Sequence, residues 1–187
     1  MSTLPEISTP PETSTPSGVE VILVAGVSGS GKTTVGGLLA ERLGWDYAEA
    51  DAFHSPANIA KMRAGHPLTD ADRAPWLRAI AAWIDDRLET GRPGVVSCSA
   101  LKRAYRDRLT GGRPAVRTVM LDGDRDVIAE RMRARHGHFF GAGLLDSQFA
   151  DLERPAPDEH VLTVPITDSP EETVDRIVKA LDLAPLH

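Results

Sequence analysis

The feature that most constrains the fold is the run Val19-Glu-Val-Ile-Leu-Val-Ala25, followed at once by Gly26-Val-Ser-Gly-Ser-Gly31-Lys32-Thr33. The first part is a nearly continuous apolar stretch, the pattern of a parallel strand buried on both faces. The second matches G-x-x-x-x-G-K-[ST] at every fixed position. Beyond it, Val35, Leu38, Leu39 and Leu43 give the segment that starts near Gly31 the core face of a helix. Strand, glycine turn and helix start, in that order, make a cradle for nucleotide phosphates. The glycines let the backbone turn tightly and aim successive N–H groups inward. The helix adds the positive end of its dipole. On this reading Gly26, Val27, Ser28, Gly29, Ser30, Gly31, Lys32, Thr33 and Thr34 surround the phosphates of ATP. Lys32 sets a point charge on the β- and γ-phosphates, and Thr33 offers its hydroxyl to Mg²⁺.

The rest of the chain alternates short β-branched runs with helical patterns, which indicates an α/β fold with a five-stranded parallel sheet. Further strands are expected at 46–50, 95–98, 116–121 and 161–165. Helices are expected at 55–65, around Leu77, Ile80, Ile84 and Leu88, at 101–109, 124–135 and 144–152, and around Val174, Ile177 and Leu181. Residues 1–17 are almost all Ser, Thr, Pro and Glu; such a segment buries too little apolar surface to offset its ordering entropy and is expected to be a disordered tail. Residues 18–187 then form one domain, a size that suits a single core. Within it, 51–76 is expected to bind the substrate, and the glycine-punctuated 136–155 to act as a mobile lid.

The 21 basic and 27 acidic residues leave a net charge of −6, a balance that argues against a nucleic-acid partner. No apolar run approaches the ~20 residues that span a bilayer. The single cysteine, Cys98, cannot form an intramolecular disulfide, so a cytoplasmic location is expected. Nothing in the sequence separates a monomer from a homodimer.

The phosphate loop does not say what receives the phosphoryl group. In a parallel sheet that is decided beyond the carboxyl ends of the strands. Glu49-Ala-Asp51-Ala-Phe-His54 ends the second strand, and Ser97-Cys98-Ser99-Ala100-Leu101-Lys102 ends the third. With the blocks DAFHSPANIAKM, PLTDADRAPWL, CSALKRAYRDRL, RARHGHFF and LLDSQFADLERP, the chain from Val19 to Leu181 resembles the gluconokinase family, within the wider shikimate-kinase and nucleoside-monophosphate-kinase group. The resemblance implies a three-layer P-loop kinase fold and ATP-dependent phosphorylation of a small sugar acid, D-gluconate. It departs in two places: His54-Ser55-Pro56 stands where the family usually reads His-Pro, and Glu49 stands where Asp is usual.

On that resemblance Asp51 is the acceptor-side carboxylate, although an Asp at a strand end is otherwise a common helix cap. Glu49 joins Thr33 at the metal. Arg73 and Lys102 are candidates for the substrate carboxylate, with His54, Ser99, Arg106 and His138 near it. A guanidinium grips a carboxylate through two parallel hydrogen bonds, but Arg73 has ion-pair partners of its own in Asp70-Ala-Asp72. Arg131 and Arg135 lie four apart and share a helix face, from which Arg131 reaches the nucleotide and Arg135 the transferring group as a lid closes. Trp76, Trp83 and Phe139-Phe140 read as packing residues. The competing functions are a kinase for shikimate or a nucleoside monophosphate, and a nucleotide-sensing module with no catalysis. There is no N-K-x-D guanine signature and no glycine triplet after the third strand.

Overall fold

The computed structural model describes residues 18–136 and 142–186. Five parallel strands, β1 (Val21–Ala25), β2 (Asp46–Glu49), β3 (Gly94–Ser97), β4 (Val116–Asp122) and β5 (Leu162–Pro165), form a sheet in the order β2-β3-β1-β4-β5. The helices are α1 (Lys32–Leu43), α2 (Pro56–Arg63), α3 (Asp70–Thr90), α4 (Arg103–Thr110), α5 (Arg125–His136), α6 (Ala142–Asp151) and α7 (Pro170–Ala180). The five-stranded parallel sheet and the flanking helices are those expected from the hydrophobic pattern, with ends displaced by a residue or two.

β1 sits at the centre, and its alternation divides the core. Ile22 and Val24 face a layer with Val35 and Leu39 of α1, Ile128 of α5, Leu145 of α6 and Ile177 of α7. Val21, Leu23 and Ala25 face the opposite layer, with Trp76, Leu77, Ile80 and Ile84 of α3 and Leu109 of α4. A strand with side chains buried on both sides must be apolar throughout, which is why Val21 to Ala25 reads as a continuous run. The chain leaves β1 toward one edge and returns after β3 to the other. The carboxyl ends of β1 and its neighbours therefore open into a crevice.

Two devices near that crevice fix the acceptor side. A capping box starts α3: Thr69 Oγ1 accepts from Asp72 N–H at 3.1 Å, and Asp72 Oδ2 accepts from Thr69 N–H at 2.8 Å. The same Asp72 holds α2, taking Lys61 Nζ at 2.5 Å, while its carbonyl accepts from the buried Asn58 Nδ2 at 2.9 Å. The Lys61 and Thr69 donors together hold the Asp72 carboxyl down to about 2. The charged helix expected from Leu101 starts only at Arg103, because Lys102, its N-cap, is still extended at φ −93° and ψ 142°. The expected tail, residues 1–17, lies outside the described residues, as do His138 and Phe139-Phe140. Among the described residues, no helix is long and apolar enough to cross a membrane.

Candidate active site

The phosphate loop joins β1 to α1. Gly26 has φ 149°, and a Cβ there would lie 2.6 Å from Ser30 Oγ and 3.1 Å from the Leu121 carbonyl, so a side chain does not fit. Gly31, at φ 98°, caps α1 from the left-handed region that glycine enters without strain. Lys32 folds back over the loop and donates to the Val27 carbonyl at 3.1 Å. Burial lowers its pKa, and the opposing influence of Cys98, Asp51 and Glu49 does not offset it fully. A buried cation whose neighbours are partly anionic is poised to accept more negative charge.

A chain of hydrogen bonds fixes the acidic side of the loop. Thr33 Oγ1 donates to Glu49 Oε2 at 3.1 Å, and the Tyr47 hydroxyl donates to the same oxygen at 2.6 Å. Tyr47 also lies 3.0 Å from Ser97 Oγ, which donates to the Lys32 carbonyl at 3.0 Å. Burial and the Glu49 carboxylate push the Tyr47 phenol up to about 12, so it stays a donor. The oxygens of Thr33 and Glu49, the two residues expected at the metal, thus meet, and both are the hard donors that Mg²⁺ prefers. Glu49, longer than the usual Asp, reaches the threonine directly.

The phosphate loop faces a cavity of about 330 Å³ bordered by Lys32, Thr33, Glu49, Asp51, Ser99 and Arg135. Beside it opens a larger cleft of about 690 Å³, bordered by Asp51, His54, Arg73, Trp76, Ser99, Lys102 and Tyr105. Ser28, Asp51, Ser99 and Gln148 border both, so they stand where the two spaces meet. On the other flank, Arg131 and Arg135 border a third cavity with Gly29, Thr34 and Ser169. Arg131 donates there to the Ile166 carbonyl.

Asp51 lies in a 3₁₀ turn, Ala50–Phe53, and is exposed toward the cleft. The turn is anchored by Trp76, whose Nε1 donates to the Ala50 carbonyl at 2.7 Å and whose ring stacks on His54 at 4.4 Å between centroids. Trp76 is therefore both the packing residue expected and a wall of the cleft. Burial lowers the His54 pKa and Arg73 lowers it further, against the pull of Asp51, so a neutral imidazole faces the cleft. Arg73 Nη1 donates to the Tyr105 hydroxyl at 3.0 Å, Tyr105 donates to Asp70, and Lys102 Nζ lies 3.5 Å from Asp70 Oδ1. Asp70 thus steadies both cations, Lys102 directly and Arg73 through Tyr105, and Asp151 on the cleft wall also favours the charged Lys102.

Arg106 requires a correction. It borders neither of these spaces. Its side chain is 2% exposed and pairs with Glu159, 4% exposed, with Nε 2.8 Å from Oε1. Its Nη1 donates to the carbonyls of Ala100 and Leu101, at 3.1 and 3.0 Å. Burial raises the Glu159 pKa, but hydrogen bonds from Arg106 and from Ala156 N–H outweigh it and hold the carboxylate ionised. Arg106 is thus a buried brace under the segment that carries Ser99 and Lys102, where Ala100 adopts φ 40°. The i, i+4 spacing from Lys102 to Arg106 does not put them on one face, because Lys102 precedes the first helical turn. Cys98 is buried, and burial pushes its thiol up to about 12.

Three site residues were not apparent in the sequence: Tyr105, Gln148 and Trp76 as a cleft wall. Gln148 had a signal. Leu145, Phe149 and Leu152 form one apolar stripe of α6, and a polar residue on that stripe needs a buried partner.

A family model described as an AAA domain matches residues 21–155. A gluconokinase of Gluconobacter oxydans (strain 621H) is 46% identical over 158 residues, which is 84% of this chain and 89% of that one. A sugar kinase of Janibacter sp. HTCC2649, solved without ligand, is 50% identical, with a TM-score of 0.81 over 89% of this chain and 96% of that one. A gluconokinase of Sinorhizobium meliloti 1021 is 45% identical, with a TM-score of 0.78 over 87% of this chain and 91% of that one.

Proposed function

The chain belongs to the gluconokinase family, and from that premise we propose how its residues move the γ-phosphoryl group of ATP to D-gluconate, giving 6-phospho-D-gluconate and ADP. It is an ATP-dependent kinase with a small sugar acid as acceptor. The observation that carries the assignment of roles is the meeting of the two cavities. Ser28 of the phosphate loop and Asp51 of the acceptor segment border the same opening, so donor phosphate and acceptor hydroxyl come together there.

The loop N–H groups and Lys32 hold the phosphates and meet the charge that spreads over the transferring group. Thr33 and Glu49 fit a hard divalent cation and would hold Mg²⁺ there, which when bound would supply charge neutralisation for the transferring phosphate. Asp51 accepts a hydrogen bond from the attacking hydroxyl, aligns it, and takes its proton late. Arg73 and Lys102 hold the substrate carboxylate in the cleft, where both are positioned through Tyr105 and Asp70. Ser99 and the neutral His54 bond the hydroxyls between. Arg135 reaches the transferring phosphoryl group from α5 and Arg131 the nucleotide. Residues 51–76 serve as the acceptor segment and 136–155 as the lid that excludes water. Work on a free metabolite with ATP suits the cytoplasm.

A coupled assay of ADP release tests the assignment across D-gluconate, other aldonates, shikimate and nucleoside monophosphates. ADP should form only when Mg²⁺ and D-gluconate are both present. Turnover of shikimate without gluconate, or equal release with no acceptor, contradicts it.

A further inference from the structure

α6 carries Leu145 into the core, with Phe149 and Leu152 packed beside it. Gln148 lies among them, and its carboxamide turns to the phosphate loop. Oε1 accepts from Ser28 N–H at 2.6 Å, and Nε2 donates to Ser28 Oγ at 2.8 Å. Backbone N–H groups of such a loop are the donors that cradle nucleotide phosphates. The amide oxygen therefore takes a place that suits a phosphate oxygen. It does so at the boundary of the phosphate cavity and the acceptor cleft, both of which Gln148 borders.

We propose that Gln148 is a phosphoryl-binding residue, which caps Ser28 when nucleotide is absent and donates to the transferring phosphoryl group when nucleotide is bound. The inference rests on the kinase function above and adds to it a residue from α6. Two acceptors, the amide oxygen and a phosphoryl oxygen, compete for the single Ser28 N–H. An anionic phosphoryl oxygen outcompetes a neutral amide oxygen, since charge-assisted hydrogen bonds are about twice as strong. Once Oε1 is released, Nε2 still carries two N–H donors. They lie beside Ser28, at the opening that Asp51 also borders, where negative charge is transferred from donor to acceptor. A neutral donor suits that place: it stabilises phosphoryl oxygens without competing with Lys32 for Asp51.

Gln148→Ala and Gln148→Glu separate this role from simple packing. The readouts are calorimetric binding of Mg²⁺ with adenylyl imidodiphosphate, a non-hydrolysable ATP analogue, thermal stability, and steady-state ADP release with gluconate. Ala removes cap and donor together. The analogue should bind as tightly as to the wild type or a fewfold tighter, while kcat falls roughly 10²-fold, the effect of losing one transition-state donor. Glu keeps the size and can still accept from Ser28, but it sets a carboxylate against the phosphoryl group. Analogue affinity should then fall at least about tenfold. The proposal is overturned if both variants keep analogue affinity and kcat within about twofold of the wild type. It is also overturned if Ala weakens analogue binding as much as Glu does while lowering Tm, for then Gln148 only supports the loop. A wild-type enzyme that ignores gluconate defeats the acceptor assignment, and the analogue titration still decides the part of Gln148.

Discussion

The two halves of the site are built from different materials. The phosphate side is one unbroken stretch, residues 26–34, in which glycines make the geometry and, on the function proposed above, backbone N–H groups do much of the binding. The acceptor side is assembled from side chains at the ends of β2 and β3 and on the first turns of α3 and α4. Each of these is held by a neighbour: Asp51 through the Trp76 anchor, Arg73 and Lys102 through Tyr105 and Asp70, Ser99 through the Arg106 brace. The first half needs little besides its own sequence. The second depends on packing, so substitutions there should divide into those that touch substrate and those that only support what does.

The largest effect should come from Lys32→Ala. Its charge meets charge that develops on the transferring group, so kcat should fall by about 10³-fold or more with Tm little changed. A folded variant with normal kcat would show that the backbone alone suffices on the phosphate side. Asp51→Asn keeps shape and an acceptor oxygen but loses charge and basicity. We expect kcat to fall by about 10²–10⁴-fold while the gluconate KM changes far less; a raised KM at constant kcat would make Asp51 a binding residue instead. Arg73→Ala should do the opposite, raising the gluconate KM roughly 10–10²-fold with a smaller loss of kcat. An unchanged KM would leave Arg73 with only its structural hydrogen bond to Tyr105.

Arg106→Met tests the support class. Leaving Glu159 buried and unpaired should cost about 3–5 kcal/mol. In a chain of this size that is a Tm lower by roughly 6–20 °C, with gluconate KM within about threefold. A large rise in KM with no loss of Tm would put Arg106 back on the substrate. The smallest effect concerns His54. Burial keeps its imidazole neutral in the folded protein, while the unfolded chain protonates it below about 6.5. The unfolded state then binds more protons, so this contribution is present above that pH and is lost as pH falls through the lowered folded value. His54→Gln should flatten the decline of Tm on the acid side of pH 6.5, and an unaltered pH profile would contradict the burial of that ring.

This difference in materials also explains what could be read in advance. The sheet, its order of elements and the phosphate loop were legible, because β1 is apolar at every position and Gly26 to Thr33 are contiguous. That Thr33 and Glu49 stand at one site came from the family resemblance alone; their hydrogen bond was not foreseen. Arg73 and Arg106 were not separable: both are arginines in charged helical text, and one turns to the cleft while the other lies beneath it. What divides them is Glu159, an acid far along the chain whose position only the fold supplies. Gln148 was hidden differently. Its spacing from Leu145 marked it as core-facing, but its partner, a backbone N–H in the phosphate loop, has no side-chain signature in the sequence.

The central claim is one of orientation, with the carboxylate of gluconate held at Arg73 and Lys102 and the hydroxyl at its other end presented to Asp51 and the phosphate loop. Product analysis by phosphorus and carbon NMR, after turnover of ATP and D-gluconate, tests it most directly. The account predicts a single phosphoester on carbon 6. Phosphate on a hydroxyl next to the carboxylate, or a mixture of positions, would contradict it.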